Sequence, residues 1–300
     1  MVIVIYRKFF YAFTGVVLVA AIGSLLFFGL NLGIDFTGGT LIEARYESVE
    51  PDHLAIEIAF ESVGIESPSV RSSEEGAVII RTEALSNEQR EVLPAVLSLQ
   101  GEYPVTVERF SEVGPTIGHE LRSKALWAIL AVIIAIVLYV AFVFRAVSRP
   151  ISSWWYGLLA IIALVHDVIV PVGLFAALGF YFGAQVDTLF VMALLAILGY
   201  SVNDTIVVFD RVRENLARNK EKGRKEDFQL VVGRSLDEAF TRSVNTSLTT
   251  LLVLLALFFL GPVATQDFAL VLIVGVIAGT YSSIALATPL LVTVERWKTK

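Results

Sequence analysis

The groups with which this sequence could do chemistry in apolar surroundings are Asp204, Arg242, His166 and Asp167. Asp204 stands in GYSVNDTIVVFDRVREN, a stretch that begins at Gly199 and otherwise reads as the end of a membrane helix. A carboxylate inside a bilayer costs at least ~2.5 kcal/mol on the insertion scale, and intramembrane ionisable residues mark ion and proton pathways by default. Asp204 lies about 10 Å of helical rise from Arg211. Asn203 and Thr205 flank it, Ser201 is three residues back, and Gly199 is five back, where a neighbouring helix could approach closely. The chemistry on offer is reversible protonation. The competing reading is a permanently hydrogen-bonded carboxylate that holds helices in register.

Arg242 is the candidate partner. It lies in TRSVNTSLTT, with Thr246 one turn further on the same face and Asn245, Ser247, Thr249 and Thr250 making this end unusually polar. A snorkelling interfacial anchor explains Arg242 equally well, and the hydroxyls could serve only as glue between helices. His166 and Asp167 lie in ALVHDVIVPVG, near the middle of another apolar run. Neighbours on a helix point ~100° apart, so they are not a simple stacked pair; a proton relay and a structural hydrogen-bonding role both remain open. One His and one Asp do not make a metal site. With no cysteine, disulfides and cysteine-ligated metals are excluded. No nucleophile and base stand together, so the sequence does not read as an enzyme.

The elements that must position these groups are membrane helices. The chain is 56% hydrophobic and 17% charged, with a mean hydropathy of +0.73, which rejects a purely soluble protein. The net charge of −6 gives no support to nucleic-acid binding. Six apolar runs are long enough to span: Phe9 to Leu30, Leu126 to Phe144, Trp155 to Phe182, Thr188 to Phe209, Ser243 to Leu260 and Phe268 to Val294. The first continues past its small residues and reads as an uncleaved span rather than a signal peptide. Pro171 and Pro289 predict kinks. The basic connection 211–242 is expected to contain helix, with DRVRENLARNKEKGRKED continuing the fourth span and FQLVVGRSLDEAFTRS lying on the membrane surface.

Between the first two runs the chain turns polar and acidic. GGTLIEARYE has strand character. PDHLAIEIAFESVG has helical spacing, opened by Pro51, with Leu54, Ile58 and Phe60 to Val63 on one side. PSVRSS and AVIIRTE are short strands around a turn at Glu75-Gly76. SNEQREVLPAVLSLQG opens with a Ser cap and is interrupted by Pro94, and YPVTVERFSEVG is a last strand. The order β-α-β-β-α-β is the ferredoxin-like pattern. The fold class is therefore a polytopic α-helical membrane protein of six transmembrane helices with an α+β ferredoxin-like domain between helices 1 and 2. The divisions are residues 1–32, the head domain 33–122, and 123–300. GIDFTGGT, from Gly33, leads into the head. It has no Lys-Ser/Thr ending and is not expected to open a helix, which excludes a phosphate loop. Gly33, Asp35, Gly38 and Gly39 read as a turn at the junction of head and membrane.

Lys and Arg set the orientation. Arg145 and Arg149, the connection from Arg211 to Arg242, and Arg296, Lys298 and Lys300 fall on one side; GAQVD and GPVATQD, on the other, have no basic residue. Both termini are therefore expected in the cytoplasm and the head outside.

LGIDFTGGTLIE, ALVHDVIV, GYSVNDTIVVFDRVREN and RSVNTSLTTLL together resemble the SecD/SecF family of bacterial protein-export membrane proteins, within the resistance-nodulation-division superfamily. The resemblance runs from the first span to the last. It implies SecD as partner, association with the SecYEG translocon, preproteins as substrates, and the bacterial cytoplasmic (inner) membrane as location. It implies no cofactor, with the proton as coupling ion. The family's proton-pathway residues match Asp204, Arg242 and Thr246, and its His-Asp motif matches His166 and Asp167; Asn203, Asn245 and Gly199 are expected to support them. Two other functions use the same features: a proton-driven exporter of small molecules or lipids from the same superfamily, and a passive scaffold of the translocon that needs the spans but not titration of Asp204.

Overall fold

The computed structural model describes residues 2–47, 49–66, 68–72, 77–143, 151–262 and 265–298. Arg145, Arg149, Lys300 and the expected Glu75-Gly76 turn lie outside them. The chain divides into two compact units, Leu32–Ala125 on one hand and Met1–Asn31 with Leu126–Lys300 on the other.

The smaller unit contains a one-turn helix α3 (Ile34–Thr37), then β1 (Gly39–Tyr46), α4 (His53–Ser62), β2 (Ser69–Ser72), β3 (Ala77–Thr82), α5 (Asn87–Leu97) and β4 (Val105–Val113). The sheet order is β2-β3-β1-β4, with every pair antiparallel, so the ferredoxin-like order read from the sequence is the order found. Ile42, Ala44 and Tyr46 alternate inward from β1 onto Ile56, Phe60, Val70, Val78, Ile80 and Leu97, the period of two that a half-buried strand requires. The Tyr46 hydroxyl donates to Leu97 O at 3.0 Å, and burial pushes this phenol up to about 12, so it remains a donor.

Details differ from expectation. Helix α4 buries Ile56 and Phe60, one turn apart, while Leu54 and Ile58 are exposed; that second pair is rotated to the solvent side. Its cap is Asp52, whose carboxylate accepts from Leu54 N, rather than Pro51. Helix α5 has a full capping box between Ser86 and Gln89 and runs unbroken past Pro94. GIDFTGGT does form a helical turn: Gly33 O accepts from Phe36 N and Thr37 N, and Gly38 N donates to Ile34 O.

Two of the three glycines of that motif, Gly38 and Gly39, are required by geometry. Gly39 has φ +120°, and a Cβ there would lie 2.5 Å from Thr82 O on the neighbouring strand. Gly38 has φ +76°, and its Cβ would meet Pro115 Cα at 2.8 Å.

The larger unit begins with α1 (Val2–Ile5) and α2 (Arg7–Phe28) and continues through α6 (Pro115–Val143), whose residues to Ala125 belong to the smaller unit, α7 (Ser153–Phe182), α8 (Thr188–Glu221) and α9 (Phe228–Leu260). The last helix is composite: α10 (Gln266–Tyr281), a π-helical segment Ser282–Ala287, and α11 (Thr288–Lys298). Among the described residues, six helices are long and apolar enough to cross a membrane. Asp187 and Asp227 cap α8 and α9 through Phe190 N and Gln229 N, each at 2.8 Å. FQLVVGRSLDEAFTRS is the first half of α9 rather than a separate surface helix. It packs on the extension of α8, where Asn215 Nδ2 donates to Ser235 Oγ and Glu238 Oε2, each at 3.0 Å.

The last helix approaches α8 through two glycines one turn apart. A Cβ on Gly275 would meet Ile197 Cδ1 at 2.1 Å, and one on Gly279 would meet Ser201 Cβ at 2.9 Å. This is the small-xxx-small packing of membrane helices, matched here by the i, i+4 pair on α8. A similar contact joins α2 to α7, where Ser24 Oγ donates to Gly173 O at 2.7 Å.

Two outcomes follow. Gly39→Ala should cost about 1–3 kcal/mol of local stability through strain and collision. Hydrogen exchange of the β1 amides in the whole chain should speed up, and unchanged protection would refute the account. Gly275→Leu should cost at least ~1–3 kcal/mol by overpacking, read as a lower melting temperature of the purified chain in detergent; Gly199→Leu, with open space around its Cβ, should leave that temperature nearly unchanged.

Candidate functional site

The sequence-selected residues fall into two polar clusters in the larger unit. The first surrounds Asp167, which is fully buried on α7. His166 Nδ1 lies 2.8 Å from its Oδ1, so neighbours that point apart on the helix still meet through their side chains. Oδ2 accepts from Ser282 Oγ at 2.8 Å and from Ser201 Oγ. One carboxylate thus ties α7 to α8 and to the π segment, with donors on both oxygens. His166 is 2% exposed, and its ring faces that of Tyr281 at 5.9 Å.

The second cluster surrounds Asp204 on α8. It is buried, and its Oδ1 accepts from Ser243 Oγ of α9. Its Oδ2 is also buried but accepts from no described residue. A group of hydroxyls meets the backbone of Ser243: Ser247 Oγ donates to the Ser243 carbonyl at 2.9 Å, Tyr200 donates to Ser247 Oγ at 3.1 Å, and Ser247 and Thr280 share a hydrogen bond of 2.6 Å. Thr205 and Ser283, joined at 2.7 Å, lie on the two elements that also supply Ser201 and Ser282 to Asp167.

The other candidates occupy a different face. Ser243 and Ser247 turn inward from α9, whereas Arg242, Asn245, Thr246 and Thr249 form an exposed stripe at positions i, i+3, i+4 and i+7. Thr246 Oγ1 donates to Arg242 O at 2.9 Å on its own helix. No ion pair joins Asp204 to Arg242 among the described residues; the direct partner of Asp204 is Ser243. Asn203 is exposed next to it. Gly199 is exposed too, with nothing within 4 Å of where its Cβ would be, so the close approach expected there occurs at Gly275 and Gly279. Gly33, Asp35, Gly38 and Gly39 belong to the smaller unit, where they build the turn that starts β1.

Sequence reasoning missed Ser243, Ser282, Ser283 and Thr280. A signal existed for one pair: Ser282-Ser283 interrupts an apolar run a few residues ahead of Pro289. Proline cannot donate a backbone N–H and its ring crowds the carbonyl four residues back. Here that turn widens into π-helix, and Thr288 Oγ1 donates to Ser283 O at 2.6 Å. Such π segments recur at functional sites. No group of three His, Cys, Asp or Glu residues able to hold a metal occurs among the described residues.

With this geometry in hand, relatives can be compared. Residues 97–297 match the family of the protein export membrane protein SecD/SecF, C-terminal, and residues 23–48, which contain Gly38 and Gly39, match the SecD/SecF GG motif. The chain is 41% identical to the protein translocase subunit SecF of Thermobaculum terrenum, covering 98% of this chain and 93% of that protein. It is 38% identical to the protein translocase subunit SecF of Sebaldella termitidis, covering 97% and 91%. Among solved structures, SecDF of Thermus thermophilus, titled a translocon-associated membrane protein, superposes with a TM-score of 0.82 at 36% identity. The match covers 98% of this chain and 38% of that one. With six membrane helices, a small α+β domain between the first two, and these matches over nearly its whole length, this chain belongs to the SecF proteins of the SecD/SecF protein-export family, multi-pass membrane proteins that transport rather than catalyse.

Proposed function

We propose that this chain pairs with SecD and uses the proton-motive force to promote preprotein translocation, with Asp204 as the group that takes up and releases the proton. The observation that carries this reading is the contrast between two buried carboxylates. Asp167 has donors on both oxygens and is suited to hold helices together. Asp204 has one oxygen on Ser243 and one with no described donor, so a proton can add there without breaking an existing hydrogen bond.

The route to Asp204 runs along the exposed face of α9. Arg242, Asn245, Thr246 and Thr249 form a polar stripe on a helix that crosses the membrane. Polar side chains at that depth face a protein partner or a water-filled path rather than lipid. SecD is the partner we assign to this face, because a solved relative is SecDF, a longer chain of which this one covers 38%; that relative's description as translocon-associated supports placing SecYEG next to the pair. In this scheme both termini are cytoplasmic, following the basic residues, and the ferredoxin-like head is outside.

Protonation of Asp204 removes the charge that attracts Arg242. The two protonation states must then favour different helix packings, since a group that titrates without a differential preference drives nothing. The π segment is the element best placed to repack, because it touches both clusters through Ser282 and Ser283. The head moves with the helices, and deprotonation on the cytoplasmic side resets the cycle.

Asp204→Asn keeps the shape and removes the titration. In cells carrying the cognate SecD at matched expression, preprotein export should fall to the level seen without this chain while SecD still copurifies; native export would favour the scaffold. Asp167→Asn should behave differently. It places an NH2 group against donors, leaving at least one buried polar group unsatisfied at about 1–3 kcal/mol. The purified protein should melt lower than both the native chain and Asp204→Asn, and equal melting of all three would remove the division of roles.

A further inference from the structure

The end of the helical unit that carries Val2 and Lys298 holds a groove of about 370 Å³. Arg7, Lys8 and Arg296 line it together with Ile5, Phe9 and Gln229. Arg7 Nη1 donates to Val4 O at 2.9 Å and to Gln229 Oε1 at 3.3 Å; Arg296 Nη2 donates to the same Gln229 Oε1 at 2.6 Å. Two guanidinium groups thus converge on one neutral amide oxygen. Among the described residues no carboxylate lies within ion-pair distance of Arg7, Lys8 or Arg296. The nearest acidic residue in sequence on the α9 side, Asp227, is occupied as the cap of Gln229 N.

Carboxylates are not scarce elsewhere at this end. Arg211, Arg213, Arg218 and Arg234 are each paired with a Glu or Asp. In the groove, by contrast, two guanidinium groups and an ammonium gather with no ion pair among the described residues. Each guanidinium carries five N–H donors, and the contacts to Val4 and Gln229 use few of them.

Depth distinguishes a lipid from a soluble anion. Tyr6, Trp154 and Trp297 are exposed at this end, at 64%, 76% and 71%. Trp297 packs edge-on against Trp155, with Lys298 Nζ 5.0 Å from the Trp155 ring centre. Exposed Trp and Tyr with flanking cations form the belt found at headgroup level. From the groove, Phe9, Phe13 and Val16 continue as an exposed apolar stripe along α2, the direction an acyl chain takes.

We propose that this groove binds the phosphate of an anionic phospholipid, held by Arg7, Lys8 and Arg296, with an acyl chain along Phe9 and Phe13. Basic pockets between membrane helices bind lipid phosphates in this manner. The site depends only on the membrane character of the chain, not on Asp204 or proton coupling.

The test is native mass spectrometry of the full-length chain in detergent, titrated with phosphatidylglycerol, phosphatidylcholine or inorganic phosphate. A first phosphatidylglycerol should bind at lower concentration than phosphatidylcholine. Arg7→Gln with Arg296→Gln should raise the phosphatidylglycerol concentration for half occupancy about tenfold or more, with phosphatidylcholine adducts unchanged. Lys8→Gln, which leaves the Gln229 contacts intact, should give a smaller shift in the same direction and decides the matter if the double variant does not fold. Equal binding of the two lipids, or native affinity in the variants, overturns the proposal. Displacement of phosphatidylglycerol by equimolar phosphate identifies a soluble-anion site instead and overturns it as well.

Discussion

Hydrocarbon offers no hydrogen bonds, so each carboxylate placed in a membrane helix must find its donors on neighbouring helices. Asp167 meets this constraint in full, and much of the packing of the helical unit follows from how. Its donors come from His166 on the same helix, Ser201 on α8 and Ser282 on the last helix. Ser201 and Ser282 can converge only if α8 and the last helix lie almost backbone to backbone, and Gly275 and Gly279 allow that approach. The glycines and the carboxylate are thus parts of one arrangement. Glycine without the hydrogen bonds would leave a weak contact, and the carboxylate without the glycines would lack two of its donors.

The π segment belongs to the same arrangement. A regular α-helix passing through Ser282 and Ser283 would point adjacent residues ~100° apart with no freedom to adjust either. Six residues of π-helix ahead of Pro289 relax that relation, and Ser282 reaches Asp167 while Ser283 reaches Thr205. A segment whose backbone bonds run i to i−5 between stretches of i to i−4 bonding is a natural place for two packings to differ by little free energy. Ser282 contacts Asp167 itself, and Ser283 contacts Thr205, the residue next to Asp204 in sequence.

Much of this was legible in the sequence, and the limits have physical causes. The six spans follow from the length of apolar runs, and the order of strands and helices in the head from periodicities of 2 and 3.6, both of which single segments carry by themselves. Asp204, Arg242, His166 and Asp167 stand out because charge in hydrocarbon is costly whatever surrounds it. Serine is different: it is cheap in a membrane helix, since its hydroxyl can bond to its own backbone, as Thr246, Thr249 and Thr250 do here. Nothing local separates those hydroxyls from Ser243 and Ser282, which turn inward to carboxylates. Partner choice depends on helix rotation, a property of the packed unit. Gly199 shows the same limit in reverse. It is as small as Gly275 and Gly279, but only the latter two face a neighbour.

The direction in which α9 turns its polar residues carries the argument one step further. Ser243 and Ser247 satisfy groups inside this chain, while Arg242, Asn245, Thr246 and Thr249 point away from it along a membrane-crossing helix. A helix that only closed its own bundle would present lipid-compatible residues on that side, as α2 does with Phe9, Phe13 and Val16. The two faces of α9 therefore differ in what they meet, and Asp204 lies at their boundary: its Ser243 contact is internal, while Asn203, beside it in sequence, and Arg242, beside Ser243, are exposed. A chain built this way leaves a polar stripe exposed on a membrane-crossing helix. Covering that stripe takes a second surface of matching polarity, which gives a physical reason for the proposed membrane partner.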